Sequence, residues 1–595
     1  MATLVRASKV DEKAELERIE NWYRRELHRP VELPTYRFEP VRIGPTWQTE
    51  KVNGVNRWIL PERSLGWEAL TFCGRWLQVT RQVPWQFTLE QARWVLWWYS
   101  LEKDGSWTYR DAVFQRLKGH GKDPIGACLS MNEMIGNCRL DDWRGDRPIG
   151  RPFEEAWIQT AAVSLEQTKN TMRLLPGMVT PECKAHFGVA VQKEQVHALG
   201  DTRFMQAVTS SPTTLEGARA SFVLMNETHH WLANNSGHDM ADVIERNATK
   251  SPGGAARTVR ITNAFEAGLD SVAERDRDAY EASLDKDSRS GGSIGLLYDS
   301  LEAGPDAPLT AEDAPEIINT VRGDSTWLDI KSIVSSIMDS RNPASRSRRF
   351  WYNQIDSAAD SWMTRNSWDL ISAPNKMVQP REQVAAFFDG SKNDDTTALV
   401  GCRISDGHVF KIGSWSRPPG GKAPDGSPWI VKRDEVDGAV RSMFEDYDVV
   451  AFYADPSDVR DSEGERFWEP MLDGWHRDFG PHLKHWAIKS GDRTHSIAWD
   501  MRSRERTSLF TDAAQRFVTE VQDKAFTHDG SRSMRQHVLN AKRRPNEFGI
   551  SLGKEHRESL RKVDLAVCAV GARMVRRMYL NRSTDTKKPR SGKVW

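Results

Sequence analysis

The chain has 595 residues, with 83 Lys+Arg against 83 Asp+Glu, 24 tryptophans and six cysteines. That length predicts two or more domains, each with enough chain for its own core. No run of about 18 apolar residues occurs, so no membrane span is expected, and the charged opening MATLVRASKVDEKAELERIENWYRRELHRP does not read as a secretory signal. Six cysteines without CxxC pairing fit a reducing cytosol rather than a disulfide framework or zinc site. Zero net charge gives no pointer to nucleic acid, although the stretch from Val538 onward carries about fifteen Lys/Arg against about five Asp/Glu.

The first 35 or so residues predict a polar helix and a Pro-rich arm. Thr88-Leu89-Glu90-Gln91 is a helix-start signal, followed by apolar spacing at Ala92, Val95, Leu96 and Tyr99. AVFQRL then runs as a strand into a Gly-rich turn and an Ala/Ile/Met helix. EAWIQTAAVS, HALGDTRFMQAVTS, SFVLMNETHHW and RTVRITNA read as further strands, and their alternation with helices predicts a parallel α/β sheet. From about Glu281 to Pro315 the composition turns Asp/Ser/Gly/Pro-rich, as in a lid, insertion or linker, with a helix from about Ala314. A boundary is expected between about Ile371 and Gln383. A second strand series follows (VAAFFDGS, TALVGCRI, HVFKIGSW, VVAFYADP), and helices are expected to dominate the end before a disordered tail.

Two constellations carry chemistry. In Arg116-Leu-Lys-Gly-His-Gly-Lys122-Asp123, Gly119 and Gly121 permit close backbone approach to phosphate, and the following helix N-terminus supplies N–H groups. Lys122 suits β/γ oxygens. This is a degenerate Walker A loop, with Asp123 where Ser/Thr is usual; alone it equally fits a surface turn. Phe222-Val-Leu-Met-Asn226-Glu227 has the form of a Walker B strand, in which Glu227 would polarise the attacking water and Asn226 replaces the usual magnesium-side aspartate. Asp123 and Asn226 thus exchange a charge across one metal site, so the negative charge facing Mg²⁺ can be preserved; otherwise Asn226 simply weakens the site.

The second constellation is three aspartates, each at an apolar boundary: Asp389 and Asp455 at strand ends, Asp564 near the start of an apolar helix. Such carboxylates are costly to bury unless they meet metal or partners, and three together can hold two divalent ions for phosphodiester hydrolysis. Singly, each also fits a turn residue or helix cap. The pair His229-His230 lacks a third matched ligand and predicts no metal. His537, Asn540, Lys542, Arg543 and Arg544 fit either a phosphate-backbone contact or a solvated basic face.

From about Gly66 on, the chain resembles the large terminase subunits of tailed double-stranded-DNA phages, especially of actinobacterial type. The stretches that carry this are LEQARWVLWWYSL, YRDAVFQRLKGHGKD, QTAAVSLEQTKNTM, LEGARASFVLMNETHHW, TVRITNAFEAGLDSVAERD, RRFWYNQI, AFFDGSKNDDTTALV, FYADPSDV and KVDLAVCAV, in that order. The resemblance implies an α/β chain with a P-loop, additional-strand ATPase bearing a lid, then an RNase H-like nuclease. The expected boundaries are arm 1–65, ATPase core 66–280, lid and linker 281–375, nuclease 376–580 and basic flexible tail 581–595. It further implies Gln91 as an adenine contact and Arg116, Gly119, Gly121, Lys122 and Asp123 as the nucleotide loop. Glu227 would be the catalytic carboxylate beside Asn226, and Thr262-Asn263 the coupling motif. Arg219 is a candidate trans-acting arginine finger, against an ordinary salt bridge. Asp389, Asp455 and Asp564 would be nuclease metal ligands, and Asp123 would face the ATP magnesium. Implied cofactors are ATP and Mg²⁺, with Mn²⁺ an alternative in the nuclease. Implied partners are duplex DNA, the portal and procapsid, a small terminase subunit and further copies in a ring, in the host cytoplasm and outside the mature virion. Two rival readings remain at this stage. One is a resolvase- or integrase-like nuclease with a non-motor N-terminal half. The other is a structural capsid-vertex protein with dead sites.

Overall fold

The computed structural model describes residues 12–585 except 33, 210–218, 251–255, 285–294, 358–360, 393–394, 418–428, 457–465, 489–493, 556–558 and 560. The chain divides into two compact units, Met1–Asp356 and Ser357–Trp595. Among the described residues no helix is long and apolar enough to cross a membrane. All six cysteines are free and buried.

The first unit is built on a nine-stranded sheet. Its strands are β1 (Val41–Ile43), β2 (Asp111–Gln115), β3 (Trp157–Ala161), β4 (Ala190–Val191), β5 (Gln195–Ala198), β6 (Arg203–Val208), β7 (Phe222–Asn226), β8 (Arg257–Thr262) and β9 (Leu296–Glu302). They lie in the order β1-β9-β2-β8-β7-β3-β6-β5-β4. The run from β9 to β6 is parallel, and antiparallel strands close both edges. β7 is buried at every position, as expected where helices cover both faces of a parallel sheet. β8 stands between β2, which feeds the Gly-rich loop, and β7, which leads into Glu227; this is the additional-strand arrangement.

Three helices matter for the site and core: α1 (Glu12–Leu27), α2 (Leu89–Trp98) and α3 (Lys122–Ile135). The α2 start is the expected one. Thr88 accepts from the Gln91 N–H, and the Gln91 side chain answers the Thr88 N–H, a complete capping box. Trp94 of α2 packs on Phe114 of β2 at 4.7 Å between ring centroids.

Two stretches depart from the sequence expectation. Leu296–Glu302, expected in the lid and linker, is a sheet strand paired with β2; its polar, Gly-rich surroundings hid a seven-residue strand. Val41–Ile43, expected in the arm, forms an edge of the same sheet.

The second unit carries β10 (Gln383–Asp389), β11 (Thr397–Arg403), β12 (Val409–Trp415) and β13 (Asp448–Asp455) in the order β12-β11-β10-β13. The first three are antiparallel and β13 is parallel to β10, which is the RNase H-like arrangement. The helix α4 (Asp564–Asp585) lies across this sheet. Gly571 permits the close approach, since a Cβ there would stand 2.3 Å from the Phe387 ring. The end of the chain is not purely helical: β14 (Lys542–Asn546) and β15 (Gly549–Gly553) form a hairpin before α4. Of the tail expected at 581–595, residues 581–585 continue α4, and the rest lies outside the described residues.

Candidate nucleotide and nuclease sites

The parallel strands of the first unit deliver their C-terminal ends to one edge, where open α/β sheets bind ligands. Gly119 and Gly121 take φ of 85° and 94°, a region that glycine enters without steric cost. Gly121 caps α3, so Lys122 and Asp123 fall in its first turn. The Lys122 ammonium donates to the carbonyls of Arg116 (3.0 Å) and Leu117 (2.9 Å) and to Asn263 Oδ1 (2.6 Å). Burial pushes its pKa down to about 7, against the opposing pull of Asp123 and Glu227. The Gly-rich loop and the Thr262-Asn263 motif are therefore joined directly through Lys122.

Asp123 Oδ1 accepts from Asn226 Nδ2 at 2.8 Å and from the Thr171 hydroxyl at 3.4 Å. The two exchanged residues are in contact. Glu227 follows β7 with φ 53°, the left-handed region that a non-glycine residue occupies at a cost of order 1–3 kcal/mol. Its N–H is held by Ile261 O at 2.8 Å, and its Oε2 accepts from Gln167 Nε2 at 3.0 Å. Thr262 Oγ1 receives the His229 N–H (3.2 Å), contacts His229 Nδ1 (3.0 Å) and donates to Asn263 O (2.9 Å). Burial drives His229 well below the ordinary histidine range. The His229 and His230 rings lie 4.0 Å apart, tilted by 39°.

One expected residue lies differently. Arg116 does not extend its guanidinium into the loop: it is fully buried, paired with Glu90 (2.9 Å) and Asp299 (2.5 Å), and only its carbonyl reaches Lys122. Burial raises the Glu90 carboxyl, but Arg116 and His120 outweigh it and hold the group well below the carboxylate range. Arg116 is thus the charged post beneath the loop. Arg219 is exposed and precedes β7, which puts roughly 17 Å of strand between it and the Glu227 end. Gln91 stays beside the loop, its Nε2 being 3.9 Å from where a Cβ on Gly121 would stand.

Gln167, Thr171, Glu90 and Asp299 were not singled out from sequence. Gln167 was findable: Ser164 caps the helix Leu165–Met172 and accepts from the Gln167 N–H, a Ser-x-x-Gln start signal.

In the second unit Asp389 and Asp455 are direct partners in the parallel register of β10 and β13, so both project on one face at the strand spacing of about 4.8 Å. Asp564 opens α4 and accepts from the Thr396 N–H at 3.3 Å. Burial, then Asp564 and Asp455, push the Asp389 carboxyl well above its ordinary range, against a weaker pull from Lys554. Lys554 and Lys562 both pair with Asp395, Lys562 at 3.1 Å. Among the described residues no three His, Cys, Asp or Glu side chains are gathered closely enough to ligate one ion as they stand. The donor chemistry nonetheless fits a hard divalent cation: all-oxygen ligands with mutual repulsion that positive charge would relieve.

The basic segment before Asp564 is largely committed to the protein. His537 Nδ1 meets the Leu565 N–H at 3.0 Å, Asn540 donates to Lys562 O at 3.1 Å, Lys542 is buried, and Arg544 donates to Lys554 O at 2.8 Å. Arg543 is exposed.

No family model matches the sequence. Among solved structures, the HK97 bacteriophage large terminase aligns with 86% of this chain and 99% of its own at 16% identity and TM-score 0.44. The large terminase nuclease from thermophilic phage G20c with bound magnesium aligns with 36% of this chain and 97% of its own at 13% identity and TM-score 0.24. The sequence relatives are much nearer. The "Gene 13 protein" of Mycobacterium phage L5 is 36% identical over 626 residues, 95% of this chain and 98% of its own. That of Mycobacterium phage D29 is 36% identical over 628 residues, with the same shares. The chain belongs to the family of these mycobacteriophage Gene 13 proteins.

Proposed function

We propose that this chain is the large subunit of a double-stranded-DNA phage terminase, an ATP-driven packaging motor with a metal-dependent nuclease behind it. The observation that carries the reading is the contact set at one sheet edge: Lys122 on Asn263, and Asp123 on Asn226 next to Glu227. The loop, the hydrolytic strand end and the coupling motif meet there, in a chain whose second unit holds buried, mutually repelling aspartates.

In the motor half, Lys122 and the α3 N-terminus hold the phosphates, and Glu227 orients the attacking water. A γ-phosphate would compete with Asn263 for the Lys122 ammonium. Loss of that phosphate would hand Lys122 back to Asn263, and Thr262 passes the change to His229 and the β8 end. Magnesium, when bound, neutralises the phosphate charge, with Asp123 offering the carboxylate that Asn226 lacks. In the nuclease half, Asp389, Asp455 and Asp564 would hold one or two Mg²⁺ or Mn²⁺ ions, which supply the Lewis acid and the nucleophile for cutting concatemeric DNA. The grip on duplex DNA is electrostatic and sequence-independent. The working assembly is a ring on the procapsid portal, fed by a small subunit in the host cytoplasm, with Arg219 available to a neighbouring copy.

The test is direct. Purified protein should hydrolyse ATP faster with duplex DNA present, and should nick supercoiled plasmid with Mg²⁺ or Mn²⁺ but not with EDTA. Nicking without any DNA-stimulated ATPase would favour a non-motor nuclease; absence of both would leave a structural protein.

A further inference from the structure

The segment 323–328 connects the helix Ala314–Val321 to the helix Ile330–Met338, and it is tied to the Gly-rich loop at several points. The Glu90 N–H donates to Asp324 Oδ2 at 2.9 Å, and the Asp324 N–H donates back to Glu90 Oε2 at 3.2 Å. The Ser325 hydroxyl donates to His120 O at 3.1 Å. The Trp327 indole N–H donates to Gly119 O at 2.9 Å. These bonds fix the indole against the loop, with its ring edge 3.3 Å from the point where Gly121 would carry a Cβ. From the same point the Gln91 Nε2 is 3.9 Å away.

Trp327 is nevertheless 55% exposed, whereas the other described tryptophans are buried or half-buried. Leaving so large an apolar ring in water is unfavourable. Four separate hydrogen bonds across the segment hold it in place, against a loop whose two left-handed glycines leave room for it. An aromatic face that is fixed, exposed and adjacent to a phosphate loop has the form of a stacking platform.

We infer that Trp327 is the stacking wall of the nucleobase site, so that the base of a bound nucleoside triphosphate lies between this segment and Gln91. The inference rests on the reading of Gly119–Lys122 as the phosphate loop. The two side chains divide the work by their chemistry. Stacking accepts any base because every base has a π-face. The Gln91 carboxamide is turned by its capping bond to Thr88, with Oε1 engaged at 3.2 Å, so its Nε2 donors are what the base edge meets. Base choice therefore belongs to Gln91 and base affinity to Trp327.

The full chain, as wild type, Trp327→Ala and Trp327→Phe, is titrated calorimetrically with ATP and separately with inorganic tripolyphosphate, which has no base. Stacking predicts that Trp327→Ala loses roughly 5- to 100-fold in ATP affinity, that Trp327→Phe recovers most of it, and that tripolyphosphate binds all three alike. ATP affinity unchanged in Trp327→Ala overturns the inference. So does a parallel loss of tripolyphosphate, which would make Trp327 a prop for the loop. Wild-type protein that binds neither compound would overturn the phosphate-loop reading and this inference with it, a result distinct from the other two.

Discussion

The two candidate sites balance charge in opposite ways. In the first unit the charged groups already have protein partners: Lys122 rests on Asn263, Asp123 on Asn226, Glu227 on Gln167, and Arg116 on Glu90 and Asp299. A nucleotide must displace such contacts, so binding is coupled to rearrangement. In the second unit Asp564 and Asp455 push the Asp389 carboxyl up, and the positive neighbours Lys554 and Lys562 are shared with Asp395. That site waits for charge. One unit is arranged to exchange partners, the other to be completed by an ion, a division that suits the proposed motor and nuclease.

The largest expected effect comes from removing charge where it is uncompensated. Asp389→Asn should lower Mn²⁺-dependent plasmid nicking by at least about 10³-fold while leaving ATP hydrolysis unchanged. Nicking near the wild-type rate would place the nuclease chemistry elsewhere. The mirror experiment is Lys122→Ala, which should cost on the order of 10²–10³ in DNA-stimulated ATPase and leave nicking intact. Parallel loss of both activities would mean that the two sites are not independent.

A subtler effect sharpens the contact between exchanged residues. Asn226→Asp alone would set a second carboxylate where Asn226 now donates to Asp123 at 2.8 Å. Asp123→Ser alone would remove the carboxylate offered to magnesium. Each should raise the Mg²⁺ needed for ATPase, and the double change Asp123→Ser/Asn226→Asp should recover activity, with a coupling of at least about 1 kcal/mol. Additive losses across the four proteins would show independent action.

A further effect is a pH dependence. Burial holds Lys122 at about 7 before nucleotide arrives, and phosphate favours its charged form. Above pH 7 binding must therefore take up a proton, so ATP affinity should fall between pH 7 and 9, by up to roughly tenfold per unit. A flat profile measured by calorimetry in that window would mean that Lys122 is already charged in the free protein.

Local chemistry made much of this legible in the sequence. Thr88-Leu-Glu-Gln91 announces α2, the Gly-x-Gly turn demands left-handed backbone, and apolar runs ending at Glu227, Asp389 and Asp455 mark strand ends, because capping, glycine freedom and continuous burial act within a few residues. Only the tertiary structure decided what depends on distant segments. Arg116, expected at the phosphates, is turned inward by Asp299, which lies 183 positions away on a strand that its composition concealed. Asp123 and Asn226, 103 positions apart, touch because β2 and β7 both end at one edge of the sheet. Trp327 reaches Gly119 across 208 positions. Such pairings are set by strand order and register, which no local window of residues contains.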